Sequence, residues 1–126
     1  MKFPTNYYFT EDHEWTSSQS GTVKVGISAY AIEQLGDIVH VDLPPVGTAF
    51  KARDPFGTIE STKTVSDLYM PGSGKIIEVN SEILAKPEEL QKDPYNNGWL
   101  VKIKLDEAIT NLMDAKTYEA YIQEAS

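Results

Sequence analysis

One lysine stands out for the chemistry its neighbours permit. In Glu60-Ser61-Thr62-Lys63-Thr64-Val65-Ser66-Asp67-Leu68-Tyr69-Met70-Pro71 it lies between two short strand-like runs. The turn around it is crowded with polar side chains: Glu60, Ser61, Thr62, Thr64, Ser66 and Asp67. An ordinary lysine, with a pKa of about 10.4, is mostly ammonium at neutral pH and a weak nucleophile without help. The window contains no histidine, no cysteine and no glycine loop that would cradle a phosphate. Lys63 is therefore displayed but has no catalytic company. It reads as a residue that is acted upon, a place for a covalent group. A lone lysine is ordinarily a solvated surface charge, and only the extended window separates this one from that reading.

Other candidates carry less. His13-Glu14-Trp15 contains a base, an acid and a large aromatic. It reads as a core tryptophan beside a surface carboxylate before it reads as a metal or acid/base site. His40 alternates out of an apolar strand and is expected to face solvent. Two histidines without cysteine make a poor zinc site. Gly72 and Gly74 read as turn residues, because a phosphate site would want a helix after them and a strand follows. Trp99 is expected in the core. No nucleophile, base and orienting group converge anywhere, which disfavours an independent enzyme.

The elements that must position Lys63 can be read from periodicity. Thr22 to Ile27 alternates apolar and polar residues, as a half-buried strand does. Ser28 is placed to cap a short helix over Ala29 to Leu35, which Gly36 would end. Ile38 to Leu43 follows as a strand with Val39, Val41 and Leu43 on one face. Pro44-Pro45 and Gly47 then form a turn. Phe56 to Ser61 leads into the lysine turn and Val65 to Tyr69 leads out of it. Lys75 to Asn80 is a strand with Ile77 and Val79 on one face. A Pro-containing irregular stretch precedes a last strand from Leu100 to Leu105. From Glu107 the period changes: Ile109, Leu112 and Met113, and then Tyr118, Tyr121 and Ile122, have helical spacing. This predicts a helical appendage over about 107–124, with Asp114 capping its second piece and its apolar side packed on the sheets.

A faint repeat runs through the chain. Gly36-Asp37-Ile38-Val39-His40-Val41 matches Gly74-Lys75-Ile76-Ile77-Glu78-Val79 in its glycine and aliphatic positions, and Gly21-Thr22-Val23 echoes Gly57-Thr58-Ile59. Two such strand sets, each apolar on one face, are expected to cover each other as a small sandwich.

The 126 residues fit one domain, and 40% hydrophobic residues with 10% aromatics suffice for a core. A net charge of −8 argues against nucleic-acid binding, which needs cationic surface, and favours basic protein partners or plain solubility. There is no cysteine, so any sulfur redox chemistry must come from an attached group. No apolar run approaches the roughly 20 residues of a membrane span. Met1-Lys2-Phe3-Pro4 resembles neither a signal nor a transit peptide, so the chain is expected to be complete and to stay in the compartment where it is made.

The lysine window resembles the lipoyl-attachment site of the glycine cleavage system H-protein family. Further landmarks follow in that family's order: His13-Glu14-Trp15, Leu35-Gly36-Asp37-Ile38-Val39, Leu43-Pro44, Pro71 to Asn80, and Asp93-Pro94-Tyr95 with Gly98-Trp99-Leu100. The resemblance covers nearly the whole chain. Biotinyl carriers usually place their lysine between methionines, and lipoyl domains of 2-oxoacid dehydrogenases show Asp-Lys-Ala. Thr62-Lys63-Thr64 matches neither. Thr62 stands where the family often has valine, a like-shaped β-branched residue.

The resemblance implies a mainly β fold, the barrel-sandwich hybrid (hammerhead) of lipoyl and biotinyl domains, with short helices and a C-terminal helical segment. It implies lipoate, attached covalently to Lys63, as cofactor, and a carrier rather than an enzyme. The carrier would take the aminomethyl group of glycine from a pyridoxal-phosphate glycine decarboxylase (P protein) to a folate-dependent aminomethyltransferase (T protein). It would pass electrons to a flavin dihydrolipoyl dehydrogenase (L protein). A lipoate ligase or a lipoyl/octanoyl transferase would load it. The implied setting is a bacterial-type cytoplasm, with a monomeric chain, no nucleic acid and no membrane. Glu14 is implied as a contact for the loaded arm. Position 34, sometimes histidine in the family, is Gln34 here, so no ionisable contact is expected there. Two other roles stay open: a relay passing lipoyl groups to other lipoyl domains, and an unmodified interaction module on the same fold.

Overall fold

The strands expected from periodicity pair into two antiparallel sheets. The computed structural model describes residues 2–125, so Met1 and Ser126 lie outside it. In chain order the elements are β1 (Tyr8–Phe9), β2 (Glu14–Thr16), β3 (Thr22–Ile27), α1 (Ala29–Leu35), β4 (Ile38–Asp42), β5 (Ala49–Phe50), β6 (Pro55–Ser61), β7 (Val65–Tyr69), β8 (Gly74–Val79), α2 (Ser81–Ala85), α3 (Glu89–Lys92), β9 (Val101–Leu105) and α4 (Ala115–Ala125). The larger sheet has the order β1-β2-β3-β9-β8-β5 and the smaller β4-β6-β7. Neither sheet closes into a barrel.

The inward residues of both sheets meet in one apolar layer. Val23, Val25, Ile76, Val101 and Ile103 come from the larger sheet, and Val41, Phe56, Ile59 and Leu68 from the smaller, all buried. The two repeated strand sets are interleaved rather than stacked. The first supplies β3 to the larger sheet and β4 to the smaller. The second supplies β6 to the smaller and β8 to the larger. Each set therefore lends a strand to both layers.

Several sequence expectations need correction. In β4 the register shifts between Ile38 and His40, so Ile38 and Val41 are buried while Val39 is 49% exposed. In β8 a shift between Ile76 and Glu78 buries Ile76 and leaves Ile77 39% exposed. A bulge adds a residue and resets the two-residue alternation, which sequence pattern alone does not register. The stretch after Asn80 holds two helices, α2 and α3, too short for a helical period to show. The Asn80 side chain caps α2 by accepting the Glu82 N–H at 3.2 Å.

The tail is a further correction, because its helix begins at Ala115 and not at 107. Residues 107–114 spend their backbone groups elsewhere. Ile109 N–H donates to Gln19 O at 2.8 Å, while Met113 and Phe9 exchange N–H···O bonds of 2.8 and 2.9 Å. Asp114 then starts α4, its Oδ1 accepting the Thr117 N–H at 2.8 Å.

A second cluster docks this helix. Phe3, Phe9, Trp15, Ala115 and Tyr118 are buried together, with the Phe9 and Tyr118 rings stacked at 4.5 Å. Trp99 is only half-buried and lies beneath Lys102, whose Nζ is 5.2 Å from the ring centre. No helix of the described residues is long and apolar enough to cross a membrane.

Candidate functional site

β6 and β7 form a hairpin in which Glu60 faces Val65 and residues 61–64 make the tip. Ser61 organises that tip from inside. It is buried, its N–H donates to Thr64 O at 2.8 Å, and its Oγ receives the N–H groups of Lys63 and Thr64 at 3.3 and 3.2 Å. From the side, Thr62 N–H donates to Asp37 O at 3.0 Å, just beyond α1. The backbone under Lys63 is thus held at two points while its side chain is exposed.

The aliphatic stem of Lys63 lies over Gly36. A Cβ at position 36 would come 3.2 Å from Lys63 Cε and 3.8 Å from Nζ. Gly36 ends α1 with φ 85° and ψ −147°, a conformation only glycine adopts readily. It both stops the helix and makes room for the lysine.

A cleft of about 290 Å3 opens beside the hairpin. Ser66, Asp67 and Leu68 of β7 form one wall and Tyr30, Ala31, Gln34 and Leu35 of α1 another. The turn between β1 and β2 closes it with Asp12, His13 and Glu14. Glu14 is not the surface carboxylate that the sequence suggested. It is 2% exposed, because its side chain points under β7, where Oε2 accepts the Tyr69 N–H at 2.7 Å. Its Oε1 has no partner among the described residues. Burial raises its pKa from 4.5 to about 8, against the Tyr69 hydrogen bond, which lowers it. At neutral pH the cleft therefore contains a mostly protonated carboxyl.

Glu14 is in the wall of the cleft, and Lys63 stands on the tip of the hairpin whose β7 strand forms another wall, although 49 positions separate the two in sequence. Trp15 is fully buried, its Nε1 donating to Pro94 O at 3.0 Å, and His40 is exposed, as expected for both. Gln34 lines the cleft without bringing a charge to it. The sequence reading weighed His13 and set it aside, and it missed Tyr30 and, behind His13, Tyr118. His13 has φ 67° and its Nδ1 is 2.8 Å from the Tyr118 hydroxyl. Tyr118 had looked like one apolar position of an amphipathic helix, and nothing in its spacing marks its hydroxyl. No group of three His, Asp or Glu among the described residues could hold a metal ion.

The arrangement fits a covalently carried arm. It offers an exposed amine without a hydrogen bond or ion pair to the described residues, a rigid base under that amine, and a cleft next to it. The cleft is lined in part by Ile27, Ala31, Leu35, Ile59 and Leu68, and it holds one polar atom without a partner.

Comparison with known proteins agrees with this geometry. The family described as Glycine cleavage H-protein matches residues 7–125. A glycine cleavage system H protein of Prochlorococcus marinus (strain NATL1A) is 47% identical over 124 residues, 97% of each chain. One of Bacteroides thetaiotaomicron is 47% identical over 124 residues, covering 97% of this chain and 98% of that one. The crystal structure of a glycine cleavage system H protein from Mycobacterium marinum superposes with a TM-score of 0.90 at 40% identity, covering 96% of this chain and 99% of that chain.

Proposed function

Since the chain belongs to the glycine cleavage H-protein family, we propose that Lys63 carries lipoate in amide linkage and that the chain is the carrier of glycine cleavage. The observation that supports this most directly is the unpaired Lys63 amine on a hairpin tip braced by Ser61 and Asp37, beside a cleft. When attached, the lipoyl group supplies a dithiolane able to take up the aminomethyl group of glycine and electrons. The partners are a glycine decarboxylase, an aminomethyltransferase, a dihydrolipoyl dehydrogenase and the lipoate ligase or lipoyl/octanoyl transferase that loads Lys63. The setting is a bacterial-type cytoplasm, and the chain works as a single non-catalytic domain.

The chain's own residues bind and position. Amide formation removes the Lys63 charge, and the activation for that step comes from the loading enzyme. The braced tip presents the amine to that enzyme and afterwards fixes the origin of the arm, which keeps its end at high local concentration around the carrier. Glu14 holds the loaded end. A carboxyl kept neutral by burial loses its proton when a cationic amine comes within hydrogen-bonding reach, because an opposite charge favours the ionised form.

The test is the intact mass of the protein purified from its native host, beside Lys63→Arg. One lipoyl increment, absent from the variant, is expected. An unmodified mass from lipoate-replete cells overturns the proposal, and a biotin-sized increment reassigns the cofactor. For Glu14, the loaded arm of Glu14→Ala is expected to hydrolyse faster than that of wild type. Equal rates remove the arm-contact role.

A further inference from the structure

Groups from three distant parts of the chain form one hydrogen-bonded line that ends at the rim of the cleft. Ala31 N–H donates to Ser28 Oγ at 3.2 Å. Ser28 Oγ is 2.7 Å from Tyr118 Oη, which is 2.8 Å from His13 Nδ1. Ser28 and Tyr118 are fully buried, so their protons and lone pairs must be satisfied within the line.

The line has a direction. An amide N–H only donates, so Ser28 Oγ receives that bond and turns its own proton to Tyr118. Tyr118 in turn gives its proton to Nδ1. If Nδ1–H were the donor instead, Tyr118 would donate to Ser28. The Ser28 proton would then be buried without an acceptor, at a cost of about 1–3 kcal/mol. The first turn of α1 therefore dictates where the proton of His13 sits.

We propose that Tyr118 is a positioning residue of the cleft: its hydroxyl locks His13 as the neutral Nε2–H tautomer, so that α4 sets the charge on the cleft rim. The inference rests on the carrier reading, in which the cleft receives an amine-bearing arm. An imidazolium beside that amine would repel it, whereas a neutral imidazole leaves the amine to the carboxyl groups of the cleft.

The groups facing His13 bear on the same balance. Asp12 of its own turn favours the imidazolium but is itself paired with Arg53 at 3.5 Å. Tyr30 of α1 and Tyr118 and Tyr121 of α4 pack around the ring, and Glu14 follows it in sequence. Burial dominates and lowers the His13 pKa from 6.5. The hydrogen bond to unprotonated Nδ1 acts in the same direction.

The test is nitrogen-15 NMR of the His13 ring across pH in the full chain, in wild type, Tyr118→Phe and Ser28→Ala. Wild type at pH 7 is expected to show an unprotonated Nδ1, a protonated Nε2 and a midpoint below 6.5. Tyr118→Phe keeps the stacked ring and removes only the hydroxyl. It is expected to raise the midpoint by about one pH unit, a tenfold gain in proton affinity. Ser28→Ala removes the acceptor that the reversed line needs, so its midpoint is expected at or below that of wild type. An Nδ1–H tautomer in wild type overturns the proposal. So does a Tyr118→Phe midpoint equal to wild type, or a rise in Ser28→Ala equal to that in Tyr118→Phe. Intact mass at Lys63 separates the two readings. A lipoyl increment with an unlocked His13 defeats this inference alone, and a locked His13 without the increment defeats the carrier reading alone.

Discussion

Replacing Glu14 by glutamine should flatten the pH dependence of stability. The folded chain keeps a proton on Glu14 up to about pH 8, whereas the unfolded chain releases it around 4.5. The stability this group contributes is complete below 4.5 and is lost as pH rises through 8. The full span corresponds to about 5 kcal/mol at about 1.4 kcal/mol per pH unit. Between pH 5 and pH 7 the linked loss is about 2–3 kcal/mol. That is a large part of the roughly 5–15 kcal/mol that holds a domain folded. Glutamine has the shape of the protonated acid and stays neutral throughout. Its carbonyl can keep the Tyr69 N–H bond, which measures 2.7 Å in the native protein. The assay is urea denaturation at pH 5, 6, 7 and 8, followed by tryptophan fluorescence, since Trp15 is buried one residue away. Wild type should lose about 2–3 kcal/mol relative to Glu14→Gln between pH 5 and 7. Parallel profiles, or a wild type that gains on the variant as pH rises, would refute a buried, protonated Glu14.

Three further substitutions test the packing around the site. Gly26→Ala would place a methyl 2.5–2.7 Å from the Trp15 indole, so a loss of about 2–3 kcal/mol is expected in chemical denaturation. Gly36→Ala forces a side chain onto φ 85° and against the Lys63 stem; about 1–3 kcal/mol of strain and slower lipoyl loading at Lys63 are expected from melting curves and a loading time course. Asp114→Ala removes the cap of α4 and should speed amide exchange at Thr117. The Asp114 carboxyl lies below its ordinary 3.8 because of its hydrogen bonds to Thr117, so wild-type protection there should fade only as pH falls through that lowered value.

The strands around Lys63 were legible because each is bounded by turn residues and shows two-residue alternation. The cap at Ser28 and the stop at Gly36 were legible because both act through local backbone chemistry. Val39 and Ile77 were misassigned because a bulge is a property of a strand pair, and one strand's sequence does not show its partner's register. Ile109, Leu112 and Met113 imitate a helix because a segment packed along β1 and a helix can bury residues at the same spacing; the exchange of backbone bonds with Phe9 decided between them. Lys63 was legible as the displayed residue because its whole window is local. The cleft was not, since His13, Glu14, Tyr30 and Asp67 meet only after folding. The burial of Glu14 is a tertiary fact, and a carboxyl in sequence carries no sign of it.

The division of the strands between the sheets has a consequence for how the chain assembles. Every strand of the smaller sheet lies within residues 38–69, so that sheet, with the Lys63 hairpin at its edge, can pair as soon as that stretch exists. The larger sheet has to wait. β3 pairs locally with β2 but finds its other partner only in β9, where Thr22 pairs with Lys104, so a loop of about 80 residues must close before the sheet is complete. Long-range pairing of this kind is the slow part of folding. On a ribosome the lysine hairpin therefore precedes completion of the layer that covers its apolar face. A loading enzyme that needs only the hairpin could act on a nascent chain. One that reads the His13 turn as α4 braces it must wait until Tyr118 has emerged.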